Sequence, residues 1–183
     1  MILVYDVETT GKNPRTARCV QLAALLVDPA TLTVAETFNK IITPVGFDIP
    51  SEATAIHGIS TERAWDEGLS LELALEEFAA LVARARRSVG HNISYDNTVL
   101  LCEHQRLAAD PTEFVGLAPF CTMLALTDRM KLPGRFGNFK WPRLDEAYRF
   151  CFNREFENAH TADADVLATF DIFKHGLSEK WWR

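Results

Sequence analysis

Two carboxylates stand one residue apart at the end of an apolar run, where Ile2-Leu3-Val4-Tyr5 gives way to Asp6-Val7-Glu8-Thr9-Thr10-Gly11. The run is short, branched and aromatic, so it reads as a buried β-strand. Side chains on a strand alternate faces, which points Asp6 and Glu8 the same way. Acids that close repel, so either one keeps its proton or a cation sits between them. Oxygen-only ligands favour Mg²⁺ or Mn²⁺. An acidic turn at a strand end is the competing reading, and this fragment alone does not choose between the two.

Two further acids sit at helix starts. His91-Asn92-Ile93-Ser94-Tyr95-Asp96 leaves a short strand and enters a helix, with Asp96 near its beginning. Taken alone, Asp96 reads as a capping residue, because an acid there is favoured by the backbone and the helix dipole. Near the other end, His160-Thr161-Ala162-Asp163-Ala164-Asp165 opens the last helix. Ala162, Val166, Phe170, Phe173 and Leu177 form the apolar stripe of that helix. Asp165 lies about 60° around the helix from Ala162, at the border of the core. His160 would be about 140° from Asp165 on a continuous helix, so the two share a site only if His160 lies on the preceding loop. Asn158 and Thr161 make a helix start there plausible. Alone, His160 reads as a solvated loop histidine.

The elements that must position these groups are legible in outline. After the turn Gly11-Lys12-Asn13-Pro14-Arg15, residues 20–27 and 34–43 read as strands. Asp28-Pro29-Ala30-Thr31 suits the hairpin between them, which predicts an antiparallel meander of the first three strands. Residues 51–65 read as short helical pieces broken around Gly58. Leu71, Leu75, Phe78, Val82 and Ala85 recur at helical spacing and predict an amphipathic helix over 71–86. Arg84, Arg86 and Arg87 at its far end solvate it and complement its dipole. A short strand at 88–91, a helix over 95–108, a strand at 117–121 and helices at 122–130, 143–151 and 161–177 follow. Strands first, then alternating helix and strand, indicate a mixed α/β sheet covered by helices.

With 183 residues the chain suffices for one substantial core, and residues 1–183 are expected to form a single domain. No apolar stretch approaches the roughly 20 residues that cross a bilayer. Asp6 and Glu8 interrupt the first apolar run, so no secretory signal is read there and a cytoplasmic location is expected. Cys19, Cys102, Cys121 and Cys151 are scattered without a close pair, which argues for reduced thiols. The net charge of −6 argues against strong non-specific duplex binding, although two bound divalent cations would offset much of it.

Taken together, Asp6-x-Glu8-Thr9, His91-Asn92-x-x-Tyr95-Asp96 and His160-x-x-x-x-Asp165 resemble the three motifs of the DEDDh family, the ribonuclease-H-like 3′→5′ exonucleases. Order and intervals are family-like, and the resemblance spans residues 2–175. It extends to Ile56-His57-Gly58-Ile59 and to Lys140-Trp141-Pro142-Arg143-Leu144. The resemblance implies a ribonuclease-H-like mixed five-stranded β-sheet flanked by α-helices. It implies two divalent metal ions, Mg²⁺ or Mn²⁺, held by Asp6, Glu8, Asp96 and Asp165. His160 would be the general base toward the attacking water. Thr9, Thr10, His57, Ile59 and Asn92 would bind the terminal nucleotide of a nucleic acid with a free 3′ end. The implied activity is metal-dependent hydrolysis at the 3′ end of single-stranded or frayed nucleic acid, DNA favoured, releasing nucleoside 5′-monophosphates. An RNA-trimming enzyme and a catalytically silent binding or assembly module on the same fold are the alternatives; intact acids and histidine disfavour the second. A related endonuclease is disfavoured by the exo-type histidine spacing.

Two stretches stand outside the motifs. Residues 131–141 mix Lys131, Arg135 and Lys140 with Phe136, Phe139 and Trp141, a combination that stacks bases and holds phosphates or else anchors a loop to the core. The tail Lys180-Trp181-Trp182-Arg183 suggests docking onto a polymerase partner or second subunit in a homodimer, or rings folded back on the last helix.

Overall fold

The computed structural model describes residues 1–109, 116–156 and 161–182. The first three strands are β1 (Ile2–Thr9), β2 (Cys19–Val27) and β3 (Val34–Ile41), paired antiparallel as the meander predicts. Helices α1 (Ser51–His57), α2 (Thr61–Glu67) and α3 (Leu71–Val82) follow, then β4 (Arg87–Gly90), α4 (Ile93–Arg106), β5 (Ala118–Cys121), α5 (Thr122–Met130), α6 (Leu144–Phe152) and α7 (Ala162–Ser178). The sheet order is β3-β2-β1-β4-β5, with β4 parallel to both β1 and β5. This is the mixed five-stranded sheet flanked by helices that the resemblance implies.

Alternation along β1 divides the core. Leu3, Tyr5 and Val7 face one layer with Phe78 of α3 and Val99 and Leu100 of α4. Ile2 and Val4 face the other, against Ala162, Val166, Phe170 and Phe173 of α7. Asp6 and Glu8 continue the second row, so the strand's own period aims both acids at α7.

The parallel pairing of β1 with β4 covers only Ile2–Val4 against Arg87–Val89. Beyond it β1 runs on alone on that side. A crevice therefore opens beyond the carboxyl end of β4, at the reversal of strand order where open α/β sheets bind ligands.

Two expectations are corrected, and one pair of alternatives is decided. Helix α3 ends at Val82 rather than near residue 86. The Arg86 N–H bonds the Met1 carbonyl, and Arg87 already pairs with Ile2, so the sheet captures the chain before the helical period is exhausted. Arg84 is paired with Glu36 rather than simply solvated. The tryptophans fold back on α7: the Trp182 indole donates to the Phe173 carbonyl at 3.1 Å, and Trp181 stacks under Arg129. Gly176 is the helical residue that admits this, because a Cβ there would lie 1.9 Å from the Trp182 ring.

Candidate active site

Asp6 and Glu8 leave β1 toward α7, and Asp165 enters from the first turns of α7. One carboxylate oxygen from each of the three lies within 4.8 Å of the others. Asp96 arrives from α4, on the opposite layer, by a different route. Because β4 has ended, the Val7 N–H has no strand partner on that side, and Asp96 Oδ1 accepts it at 3.2 Å. Asp96 is only 3% exposed. The cap of α4 is Asn92, in the left-handed region at φ +69°, and Asp96 sits one turn further in. Asp96 therefore terminates the sheet edge instead of capping its helix.

The electrostatic outcome is severe. Burial, then the charges of Asp96, Asp165 and Glu8, hold the Asp6 carboxyl well above the ordinary carboxylate range. Burial, with Asp165 and Asp96 adding, pushes Glu8 up to about 8. Burial raises Asp96 to about 7, against the N–H groups of Val7 and of Asp96 itself. Among the described residues no basic side chain forms an ion pair with Asp6, Glu8 or Asp96. Carboxylates assembled so closely need protons or an added cation. The all-oxygen donor set fits a hard divalent cation such as Mg²⁺ or Mn²⁺.

Beside the acids lies a cavity of about 550 Å³ lined by Glu8, Thr9, Thr10, His57, Asn92 and Tyr95, among others. Thr9 Oγ1 bonds the Tyr95 hydroxyl at 2.6 Å, and Thr10 Oγ1 accepts the Arg18 N–H at 2.9 Å. Both hydroxyls are thus committed to shaping the wall. His57 is buried, with Nδ1 accepting the Ile59 N–H at 3.1 Å, while its Nε2 has no hydrogen-bond partner among the described residues. Gly58, left-handed at φ +74°, reverses the chain between them. As a result Ile59 faces not this cavity but an adjoining one, which His57 also lines. His160, Asn158 and Arg183 lie outside the described residues.

Two supports escaped the motif reading. Glu103 is fully buried on α4 and accepts from the Cys19 N–H at 2.8 Å while pairing with Arg18 and Arg106, which ties the loop after β1 to α4. Its signal was a carboxylate seven residues beyond Asp96, on the same helix face as Val99 and Leu100. Gln21 is opposite Glu8 across the sheet, donates to Asn39 at 2.8 Å and accepts from the Ala162 N–H at 3.2 Å. The Asn39–Gln21 pair therefore holds the N-terminus of α7, and with it Asp165. Gln21→Leu is expected to weaken Mn²⁺ binding by about 10–100-fold, as loss of a group orienting a ligand does. Titration calorimetry on folded protein checks this, and unchanged affinity would refute the positioning role.

The geometry can be set beside known proteins. A family model described as exonuclease, RNase_T, matches residues 3–173. An uncharacterized exonuclease, CP81, of Escherichia phage 186 is 30% identical over 177 residues, covering 93% of this chain and 84% of that protein. The 3′-5′ exonuclease DinG of Bacillus subtilis is 29% identical over 174 residues, but the matched part is only 17% of its length. Among solved structures, E. coli Exonuclease I in complex with a dT13 oligonucleotide superposes with a TM-score of 0.82 at 22% identity, over 98% of this chain and 41% of that one. That likeness is one of fold, and the chain spans well under half of it. A whole-domain family match and a phage relative of nearly the same length agree with the three acidic motifs: the chain belongs to the RNase_T exonuclease family, the DEDDh-type ribonuclease-H-like 3′→5′ exonucleases.

Proposed function

We propose that the chain is a metal-dependent 3′→5′ exonuclease that removes nucleoside 5′-monophosphates from single-stranded or frayed DNA. The observation that carries this reading is the meeting of Asp6, Glu8 and Asp165 within 4.8 Å, with Asp96 bonded to the Val7 N–H between the first two, beside a cavity lined by Thr9, Thr10, His57 and Asn92. Asp6, Glu8, Asp96 and Asp165 would hold two divalent cations. When bound, such ions acidify a water and neutralise charge on the departing oxygen. The chain's own residues do the rest. The cavity receives the 3′-terminal nucleotide, with the Thr9 and Thr10 backbone near its sugar and Asn92 orienting the end. His160 takes the proton of the attacking water. Water adds at phosphorus and the P–O3′ bond breaks, so the released nucleotide keeps the phosphate and the shortened strand ends in a hydroxyl.

A cavity of this size has room for an unpaired end, and extracting a paired one costs unstacking and unpairing energy. DNA is preferred over RNA in this proposal because the structurally similar Exonuclease I holds a dT13 oligonucleotide. The test uses 5′-labelled single strands of DNA and RNA with Mg²⁺, Mn²⁺ or chelator. A ladder shortening by one nucleotide from the 3′ end, only with metal, is the expected result. Internal fragments would assign an endonuclease, a faster RNA ladder a ribonuclease, and no cleavage a silent module.

A further inference from the structure

Among the described residues, three of the five exposed Phe and Trp side chains, Phe136, Phe139 and Trp141, belong to one segment, that between α5 and α6; the other two, Trp65 and Phe150, lie on α2 and α6. Residues 132–140 form a small hairpin: the Lys140 N–H bonds the Leu132 carbonyl at 2.9 Å, the Gly134 N–H bonds Asn138 at 3.0 Å, and Pro133 bridges Phe139. Its tip is a tight 3₁₀ turn at Arg135–Gly137. Phe136 at that tip is 98% exposed and holds a left-handed φ of +56°, a conformation that costs a bulky residue energy. Trp141 and Phe139, below it, are 62% and 42% exposed. Burial explains none of these rings.

The hairpin is also fixed in place. His91, next to the cap of α4, donates from Nε2 to the Pro142 carbonyl at 2.9 Å. Lys140 and the Arg143 N–H both bond Glu146. Below this stem, Arg143 and Arg149 line a cavity of about 570 Å³ whose wall includes Asp165. Glu8 thus lines the space with Thr9 and His57, and Asp165 lines this one, whose Arg143 stands three residues beyond the hairpin. Lys131 and Arg135 have no acidic partner among the described residues, on a chain whose net charge is −6.

We propose that the hairpin at residues 132–140 is a second binding site for the substrate strand, with the Phe136 ring stacking on an unpaired base upstream of the 3′ end and Lys131 and Arg135 holding its phosphates. This rests on the exonuclease reading above. The chemistry selects a single-stranded nucleic acid over a protein: two cations without an acidic partner among the described residues, Lys131 and Arg135, stand beside outward rings, and every base offers a π-face. With the terminal nucleotide in the Thr9 cavity, a strand crossing the acids leaves on the Asp165 side, toward the hairpin.

The experiment compares a dinucleotide, which fills only the terminal site, with a long oligothymidylate. Phe136→Ala is expected to raise KM for the long strand by about 5- to 150-fold, the range for losing one base–ring stack, with the dinucleotide unaffected. Phe136→Tyr restores the wild-type value. Arg135→Gln flattens the salt dependence of long-strand binding by about 0.7 in log–log slope, one lost phosphate contact. Equal effects on both substrates, or none on either, would overturn the hairpin's role. So would variants that change self-association while leaving long-strand KM unaltered. If the wild type cleaves nothing, the exonuclease reading fails separately, and anisotropy with labelled oligothymidylate still decides: weaker binding by Phe136→Ala supports the hairpin site, unchanged binding overturns it.

Discussion

Asp6→Asn is expected to abolish hydrolysis and, in chelator, to make the protein melt at a higher temperature than the parent. Asp6 feels all three of the other acids; its carboxyl is held high by burial and by Asp96, Asp165 and Glu8 together. Replacing it removes a ligand and one of the charges that needs compensation. The catalytic loss should exceed about 10³-fold, more than one well-placed electrostatic contact usually contributes. The thermal gain follows from linkage. Glu8 at about 8 and Asp96 at about 7 lie above the ordinary carboxylate values of the unfolded chain, about 4. The folded state therefore takes up protons. Its stability from these groups is full below about pH 4 and is lost as pH rises through about 7 to 8. Metal-free parent should thus melt progressively lower from pH 5 to pH 8.5, and Mg²⁺ or Mn²⁺ should restore it. Asp6→Asn should show a shallower decline and little response to metal. At this chain length about 1 kcal/mol moves the midpoint by about 2–4 °C, well within the reach of calorimetry. Identical pH profiles for the two proteins in chelator would remove repulsion from the account, and retained cleavage would remove Asp6 from the metal site.

The same acids mark where a sequence is legible and where it is not. Asp6 and Glu8 could be placed on one face because a strand's period is local, and Asp165 could be placed at the core border because a helix's period is local. Asp96 could not. Its position depends on β4 stopping at Gly90, so that the Val7 N–H of another strand is left for it to satisfy. No stretch around Asp96 records that. The end of α3 failed for a related reason: the apolar spacing continues through Ala85, but the pairing of Arg87 with Ile2 draws the chain into the sheet first. Gln21 was hidden inside a strand that is otherwise apolar, and only the packing of α7 gives it a purpose. The resemblance sets Ile59 beside His57 on one wall, and the left-handed Gly58 turns Ile59 to the adjoining cavity. The meander, whose turn chemistry and alternation are both short-range, was the part most nearly complete.

The second large effect is His160→Ala, expected to lower kcat by about 10²–10⁴-fold while divalent-metal affinity persists. The carboxylates would still hold the ions; only the acceptor for the water's proton would be gone. The pH profile separates this from damage to the site. With metal saturating, bound cations draw Glu8 and Asp96 down into the ordinary acid range, so they no longer titrate near neutrality. An unperturbed imidazole titrates near 6.5, and if His160 is the base the parent's kcat should fall below about that pH. Among the described residues, the two histidines near the site are displaced from this value. Burial lowers His57, and burial lowers His91 against the Pro142 carbonyl and Asp145. A limb near 6.5 in the parent that vanishes in His160→Ala therefore belongs to His160. A limb that survives, or kcat that does not change, would transfer the base to another group. His57, whose Nε2 is buried without a partner among the described residues beside the cavity that Glu8 lines, would be the first to substitute.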